Sequence, residues 1–148
     1  MKKLFVSILA VACIFTSCLS FNSSKFNKNV EPEADNYQYA LHVDIVLDDD
    51  AETEAAIQKS IDNAFSNTRL KIVNDADSLS AEQQDKLLNY EYTINYDSNE
   101  TNINFTLSDY NTGKVIASFV GHDFNTNGQS SLENSINWLC EAIQDSFQ

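Results

Sequence analysis

The sequence predicts a single α/β (α+β) domain. It consists of one mixed five-stranded sheet in the order β-α-β-α-β-β-β-α, with the two longer helices on one face. Three observations predict it. Apolar residues alternate with polar ones in runs such as Tyr90, Tyr92, Ile94, Tyr96 and Ile103, Phe105, Leu107, the period of a half-buried strand. Elsewhere they recur at helical spacing, as in Ile57, Ile61, Ala64, Phe65 and again from Leu132 to Phe147. The polar alternate residues of the strands leave one sheet face to water, so the helices belong on the other. A length of 148 residues suits one domain, and an apolar content of 43% is enough to bury its core.

The N-terminus stands apart as a processing segment, residues 1–17. Lys2 and Lys3 precede an apolar run from Leu4 to Phe15, too short for the ~20 residues of a membrane span. The run ends Phe15-Thr16-Ser17-Cys18. A small residue before a cysteine, at the end of such a run, resembles the lipobox of bacterial lipoproteins. The resemblance implies that the leader is cut before Cys18, whose thiol takes diacylglycerol and which becomes the fatty-acylated, palmitate-type N-terminus. The box departs from the strict form at Phe15, where an aliphatic residue is usual. Cys13, after Ala10-Val11-Ala12, is the rival, and it would strand Ile14, Phe15, Leu19 and Phe21 beyond the anchor. An ordinary secretory signal with incidental cysteines is the third reading. Each buried CH₂ contributes about 0.8 kcal/mol, so several chains on one Cys hold a domain at a membrane without any spanning helix.

Residues 18–36 then read as the lipidated Cys and a flexible tether, rich in Ser, Asn and Lys and holding the only Pro, Pro32. The domain is expected over 37–148. Its first strand, Tyr37 to Leu47, places Tyr37, Tyr39, Leu41, Val43, Ile45 and Leu47 on the core face and Gln38, His42 and Asp44 on the other. Asp48, Asp49 and Asp50 lead into the first long helix, and one of them is expected to cap it. Leu70 to Val73 is a short strand. The chain order allows it to lie parallel to the first across that helix, with the remaining strands antiparallel. Ser80 with Gln83 is a capping-box pattern for a short helix ending near Leu88. Strands 90–96 and 103–107 form a hairpin around Asp97 to Glu100, and Asp109 to Lys114 turns into a strand from Val115 to Val120. Ser130 with Glu133 opens the last helix, whose apolar stripe includes Leu139, Cys140 and Ile143.

The segment Tyr92 to Phe119, YTINYDSNETNINFTLSDYNTGKVIASF, contains a strand ending in Asp109, a Thr112-Gly113 turn and a strand reading KVIAS. With the order of elements, it resembles the small α/β domain of the lipoproteins LpoB and CsgG and of the TolB N-terminal domain. The resemblance covers roughly residues 37–147 and implies a non-catalytic domain that works by contact within the cell envelope.

A net charge of −13 argues against nucleic acid and anionic lipid as partners and favours cationic ones. Three Gly leave no phosphate-cradling loop. His42 beside Asp44 and His122 beside Asp123, the latter expected in the loop before the last helix, are adjacent by ordinary chance. Neither supplies a nucleophile with its base. The acidic run Asp48, Asp49, Asp50, Glu52, Glu54 lacks calcium-loop spacing, so no metal or cofactor is expected. Cys140 reads as a buried small hydrophobe. The tyrosines read as the rim of the core, with hydroxyls reaching water. Trp138, the only Trp, lies about 200° from the apolar stripe of its helix at 100° per residue, and is the candidate partner contact.

The expected function is that of a non-catalytic, membrane-anchored lipoprotein, not an enzyme. It would act by protein contact as scaffold, recruiter or regulator, facing the periplasm from a Gram-negative inner or outer membrane. Capture of a small ligand or substrate is the alternative, and would need a concave, tyrosine-lined pocket. Mass spectrometry of the mature protein should find an acylated N-terminus at Cys18, and Cys18→Ala should move the protein from membrane to soluble fractions.

Overall fold

A computed structural model describes residues 24–43, 51–124 and 130–148. The expected leader, Cys13, Cys18, Asp44 and the triplet Asp48 to Asp50 lie outside the described residues.

The described residues form a mixed α/β arrangement of a six-stranded sheet and three α-helices. The strands are β1 (Lys25–Val30), β2 (Tyr39–His42), β3 (Lys71–Val73), β4 (Leu87–Tyr96), β5 (Glu100–Asp109) and β6 (Val115–Phe124). The helices are α1 (Ala51–Ser66), the single turn α2 (Ala81–Gln84) and α3 (Ser131–Ser146). The spatial strand order is β1-β6-β5-β4-β2-β3.

The sixth strand corrects the expected count of five. It comes from the segment expected to be tether. Lys25 to Val30 pairs antiparallel with β6 along its whole length, from Lys25 against His122 to Val30 against Ala117. Its sequence, KFNKNV, carries no strong apolar alternation, because Phe26 and Val30 are its only apolar residues and Lys28 stands between them on the same face. A 3-10 turn over Pro32–Asn36 then carries the chain back toward β2.

β2 lies parallel to β3, as the chain order allows across α1, but also parallel to β4 on its other side. Residues 74–86 make that return. Ser80 and Gln83 form the expected capping box, with Ser80 N donating to Gln83 Oε1 (2.9 Å) and Gln83 N to Ser80 Oγ (3.3 Å). The helix stops at Gln84, four residues short of expectation, because Leu87 and Leu88 are drawn into β4. The Gln83 side-chain amide also donates to the Tyr39 hydroxyl (3.0 Å), so this segment lies under the face of β2 that points away from α1.

That packing inverts the expected orientation of β2. Ala40, fully buried, and His42 face the helices, while Tyr39 and Leu41 face residues 74–86 or solvent. A strand covered on both faces carries apolar residues on both, so alternation alone does not say which face is inner.

The core is one layer between the helices and the sheet. Tyr90, Tyr92 and Ile94 of β4 stand opposite Leu107, Phe105 and Ile103 of β5. Phe105 stands opposite Phe119 of β6. Ile57, Ile61, Ala64 and Phe65 of α1 and Ile136, Leu139, Ala142 and Ile143 of α3 close over them. Cys140 packs only partly buried at the edge of this core, its thiol directed at the Ser60 carbonyl (3.5 Å). Burial pushes the thiol pKa up, with the Glu141 charge adding to it.

The Asp109 turn has a local account. Asp109 Oδ1 accepts from Thr112 N and Thr112 Oγ1 (both 2.7 Å), and Oδ2 accepts from the Tyr37 hydroxyl (2.8 Å). Partial burial works to raise the carboxyl pKa, but these donors outweigh it and hold the group below the ordinary range. Gly113 follows at φ +70°, the left-handed conformation a glycine adopts without steric cost.

Candidate functional site

Trp138 does not stand alone on the polar face of its helix. Its ring stacks on Phe26 of β1, with centroids 4.6 Å apart. The two rings lie over Gly121 of β6. A Cβ built there would come within 2.8 Å of one Phe26 ring carbon and 3.3 Å of Trp138. The absence of a side chain at Gly121 is therefore what lets the pair seat on the sheet. Phe26 remains 36% exposed and Trp138 is half-buried. The pair thus forms an accessible aromatic patch where α3 overhangs the edge strand.

Among the described residues β1 pairs on one side only, since it ends their strand order. Its outer edge offers backbone donors and acceptors to whatever approaches. Lys25 and Lys28 are both exposed along this edge, on a chain that is otherwise strongly acidic.

The sheet face away from the helices is polar. Asn95 stands opposite Asn102, Thr93 opposite Asn104, and Asn102 opposite His122. Together they floor a shallow depression of about 400 Å³ that also reaches Val120. His122 therefore lies within β6, where a loop was expected. Its Nε2 is 3.1 Å from Glu100 Oε2, and its ring meets Phe124 at 4.4 Å. The adjacent Asp123 points the opposite way, 5% exposed, and accepts a hydrogen bond from Ser24 Oγ. Adjacent residues on a strand face opposite sides of the sheet, so His122 and Asp123 do not act as a pair.

Tyr90 and Tyr92 follow the core face, as expected, whereas Tyr39 lies on the opposite face of β2, and the hydroxyls of all three reach side chains rather than water. Tyr92 Oη donates to Gln58 Oε1 (2.9 Å) and Gln58 Nε2 donates to Tyr90 Oη (2.9 Å). Gln58 Nε2 also donates to Asp62 Oδ1 (2.7 Å), as does Tyr90 Oη (3.3 Å). His42, expected on the solvent face, stacks on both rings at 5.0 and 5.5 Å. No alternation pattern could reveal Gln58 and Asp62, since each is one polar residue of an amphipathic helix. Their spacing of four marks only that they share a helix face.

Burial pushes the Tyr92 pKa up to about 12, with the charges of Glu54 and Asp62 adding to it. Burial also pushes Tyr90 up, partly offset by the hydrogen bond from Gln58 and reinforced by Asp62.

Glu52 and Glu54 occupy the first turn of α1, where carboxylates complement the helix dipole. Among the described residues, no three His, Cys, Asp or Glu side chains converge to hold a metal. No described helix is long and apolar enough to cross a membrane.

Comparison with known proteins adds a fold relationship. No protein-family model matches the chain, and no curated protein does. Among solved structures it is similar to PelC from Paraburkholderia phytofirmans, determined as a dodecamer. The TM-score is 0.59 at 11% identity, covering 85% of this chain and 99% of PelC. A leucine-to-methionine variant of the same dodecamer gives a TM-score of 0.52 at 11% identity, with coverages of 82% and 95%. At that identity the likeness is one of fold. Neither structure is an LpoB, CsgG or TolB domain, so the resemblance read from residues 92–119 stands as a proposal.

Two predictions arise from these contacts. Gly121→Ala should displace Phe26 and lower stability by roughly 1–3 kcal/mol, the usual cost of overpacking. Because Trp138 is the only tryptophan, its fluorescence reads this patch alone, and emission should shift to the red as the stack opens. Tyrosines whose folded pKa lies above the unfolded value of 10 stay protonated after the unfolded chain has ionised. Their stabilising contribution is complete below pH 10 and is lost as pH rises toward 12. Denaturant unfolding of Tyr92→Phe should show a shallower loss across that window than the parent chain.

Proposed function

We propose that this chain is a membrane-anchored, non-catalytic lipoprotein that acts by protein contact in the cell envelope. The anchor is the acylated Cys18 and the protein faces the periplasm. The observation that carries the reading is the sheet edge at β1. A strand unpaired on its outer side among the described residues, two lysines and a half-exposed Phe26–Trp138 stack come together on one side of the domain. Aromatic side chains are the commonest anchors of protein interfaces, and an unpaired strand edge adds main-chain hydrogen bonds.

The fold of PelC, which assembles as a dodecamer, supports a second element of the proposal. Copies of this chain associate with one another through the same edge, so that the anchored domain works as one unit of a membrane-bound array. Contacts at a sheet edge are heterologous when the two surfaces differ, and such contacts form a ring when the rotation from copy to copy closes.

The alternative of ligand capture by the tyrosines has less support. A binding platform needs open ring faces and free hydroxyls. Tyr90 and Tyr92 have their faces against His42 and Phe105 and their hydroxyls on Gln58 and Asp62.

Site-specific photo-crosslinking tests the reading. A photoreactive residue at Lys28 or Glu141, flanking the aromatic patch, should yield discrete higher-mass products in irradiated envelope membranes. A self-crosslinked dimer supports association of copies, and a band of other composition supports a separate partner. The same residue at Asn111, in the β5–β6 turn, serves as control. Equal products from all three positions, or none, would remove the edge as the contact surface.

A further inference from the structure

At the other end of the strand order, a crevice of about 260 Å³ opens between the ends of β2 and β3 under α1. His42 closes it from β2, Ile72 from β3, Asn74 from the turn after β3, and Gln58 and Asp62 from α1. The topology explains why a gap exists here. β2, β3 and β4 run parallel. After β2 the chain passes into α1 on one face, and after β3 it passes into residues 74–86 on the opposite face. Among the described residues, neighbouring parallel strands whose connections leave on opposite faces leave a space at their carboxyl ends, which is where open α/β sheets bind ligands.

The walls are fixed before any ligand arrives. Gln58 is held by Tyr92 Oη, and Asp62 by Gln58 and Tyr90. His42 is stacked on two rings. Both bonds to Asp62 end on Oδ1, so the second carboxylate oxygen keeps its acceptor capacity. A second cavity of about 290 Å³ shares Asp62 and Ile72 with the first and continues to Ser66 and Lys71. Asp62 therefore sits at the junction of two small spaces, with an aliphatic side chain beside it.

The chemistry selects the ligand class. Among the described residues Asp62 is the one carboxylate lining the crevice, beside the amides of Gln58 and Asn74, the imidazole of His42 and an aliphatic wall, a set that does not meet a bare divalent cation, which takes six or more oxygen ligands or several carboxylates. It does meet an organic ammonium group, whose N–H donors complete the carboxylate and whose carbon body covers Ile72. The acidic chain as a whole draws cations toward it. We propose that this crevice binds a small organic ammonium ion through Asp62. The site lies away from the β1 edge, and the proposal does not rest on the contact reading.

Benzylamine, protonated at neutral pH, is the probe, and benzyl alcohol is its uncharged counterpart. Titration into the full-length, isotopically labelled chain in detergent should give saturable amide shifts at His42, Gln58, Asp62 and Ile72. Benzyl alcohol should bind at least tenfold more weakly. Asp62→Asn keeps an oxygen for Tyr90 and should weaken benzylamine binding at least tenfold, while Glu141→Gln, on the exposed face of α3, should leave it unchanged. Ile72→Trp, which fills the crevice from its edge, should abolish binding in a chain whose spectrum remains folded. Equal binding of the alcohol, undiminished binding to Asp62→Asn, unsaturable shifts spread over the acidic surface, or no shift at all would each overturn the proposal.

Discussion

The architecture depends on a single layer of rings. Tyr90, Phe105 and Phe119 lie side by side across β4, β5 and β6, with Tyr92 beside Phe105 and Phe65 of α1 tilted over Tyr90 and Phe105. Large aromatic side chains on one sheet face have to be covered, and each buries far more surface than the aliphatic residues around it. Both long helices are consequently committed to that face. The opposite face is left mostly to Asn, Thr and Ser along β4 and β5, with Ser118, Val120 and His122 beside them on β6. Surface features that could serve a partner are thus displaced to the sheet margins, where the aromatic layer runs out.

The two margins are finished in different ways. At the β6 side, Gly121 interrupts the row of side chains and the gap is filled by Phe26 and Trp138, one from the added strand and one from the helix above. Lysines on a short edge strand discourage indiscriminate pairing. The retained aromatic stack and the lysines together therefore favour a selective contact over aggregation. At the β3 side the strand has only three residues, and among the described residues no aromatic ring comparable to Phe26 is added at the margin beneath α1. Polar groups from α1 occupy that margin instead.

Much of this plan was legible in the sequence, and the failures have physical causes. The hairpin of β4 and β5, both capping residues and the apolar stripes of α1 and α3 follow from local periodicity, because each buries one face only. β1 escaped because an edge strand with two inward apolar residues carries little alternation. The orientation of β2 escaped because residues 74–86 cover its second face, a tertiary fact that no local pattern encodes. His122 was misplaced for a similar reason. Gly121 interrupts the apolar alternation of β6 at the point where Phe26 and Trp138 supply the missing bulk. Trp138 was legible as an exception on its helix, but its partner Phe26 was not, since the two are far apart in sequence. The Gln58–Asp62 pair was illegible for the same reason: its meaning arises only where the helix passes over Tyr90 and Tyr92.

The positions of the two margins constrain how they can act together. β1 and β3 terminate opposite ends of the sheet. A partner that takes only the β1 edge leaves the Asp62 crevice open to solvent. An array in which the β1 edge of one copy meets the β3 edge of the next would cover it, since Ile72 and Asn74 belong to β3 and the turn after it. In the first arrangement contact and ligand are independent. In the second they are linked, and by reciprocity a ligand that excludes the neighbouring copy weakens assembly by the same factor that assembly weakens the ligand. The geometry of the sheet therefore makes the relation between ligand and oligomer a measure of which edges the copies use.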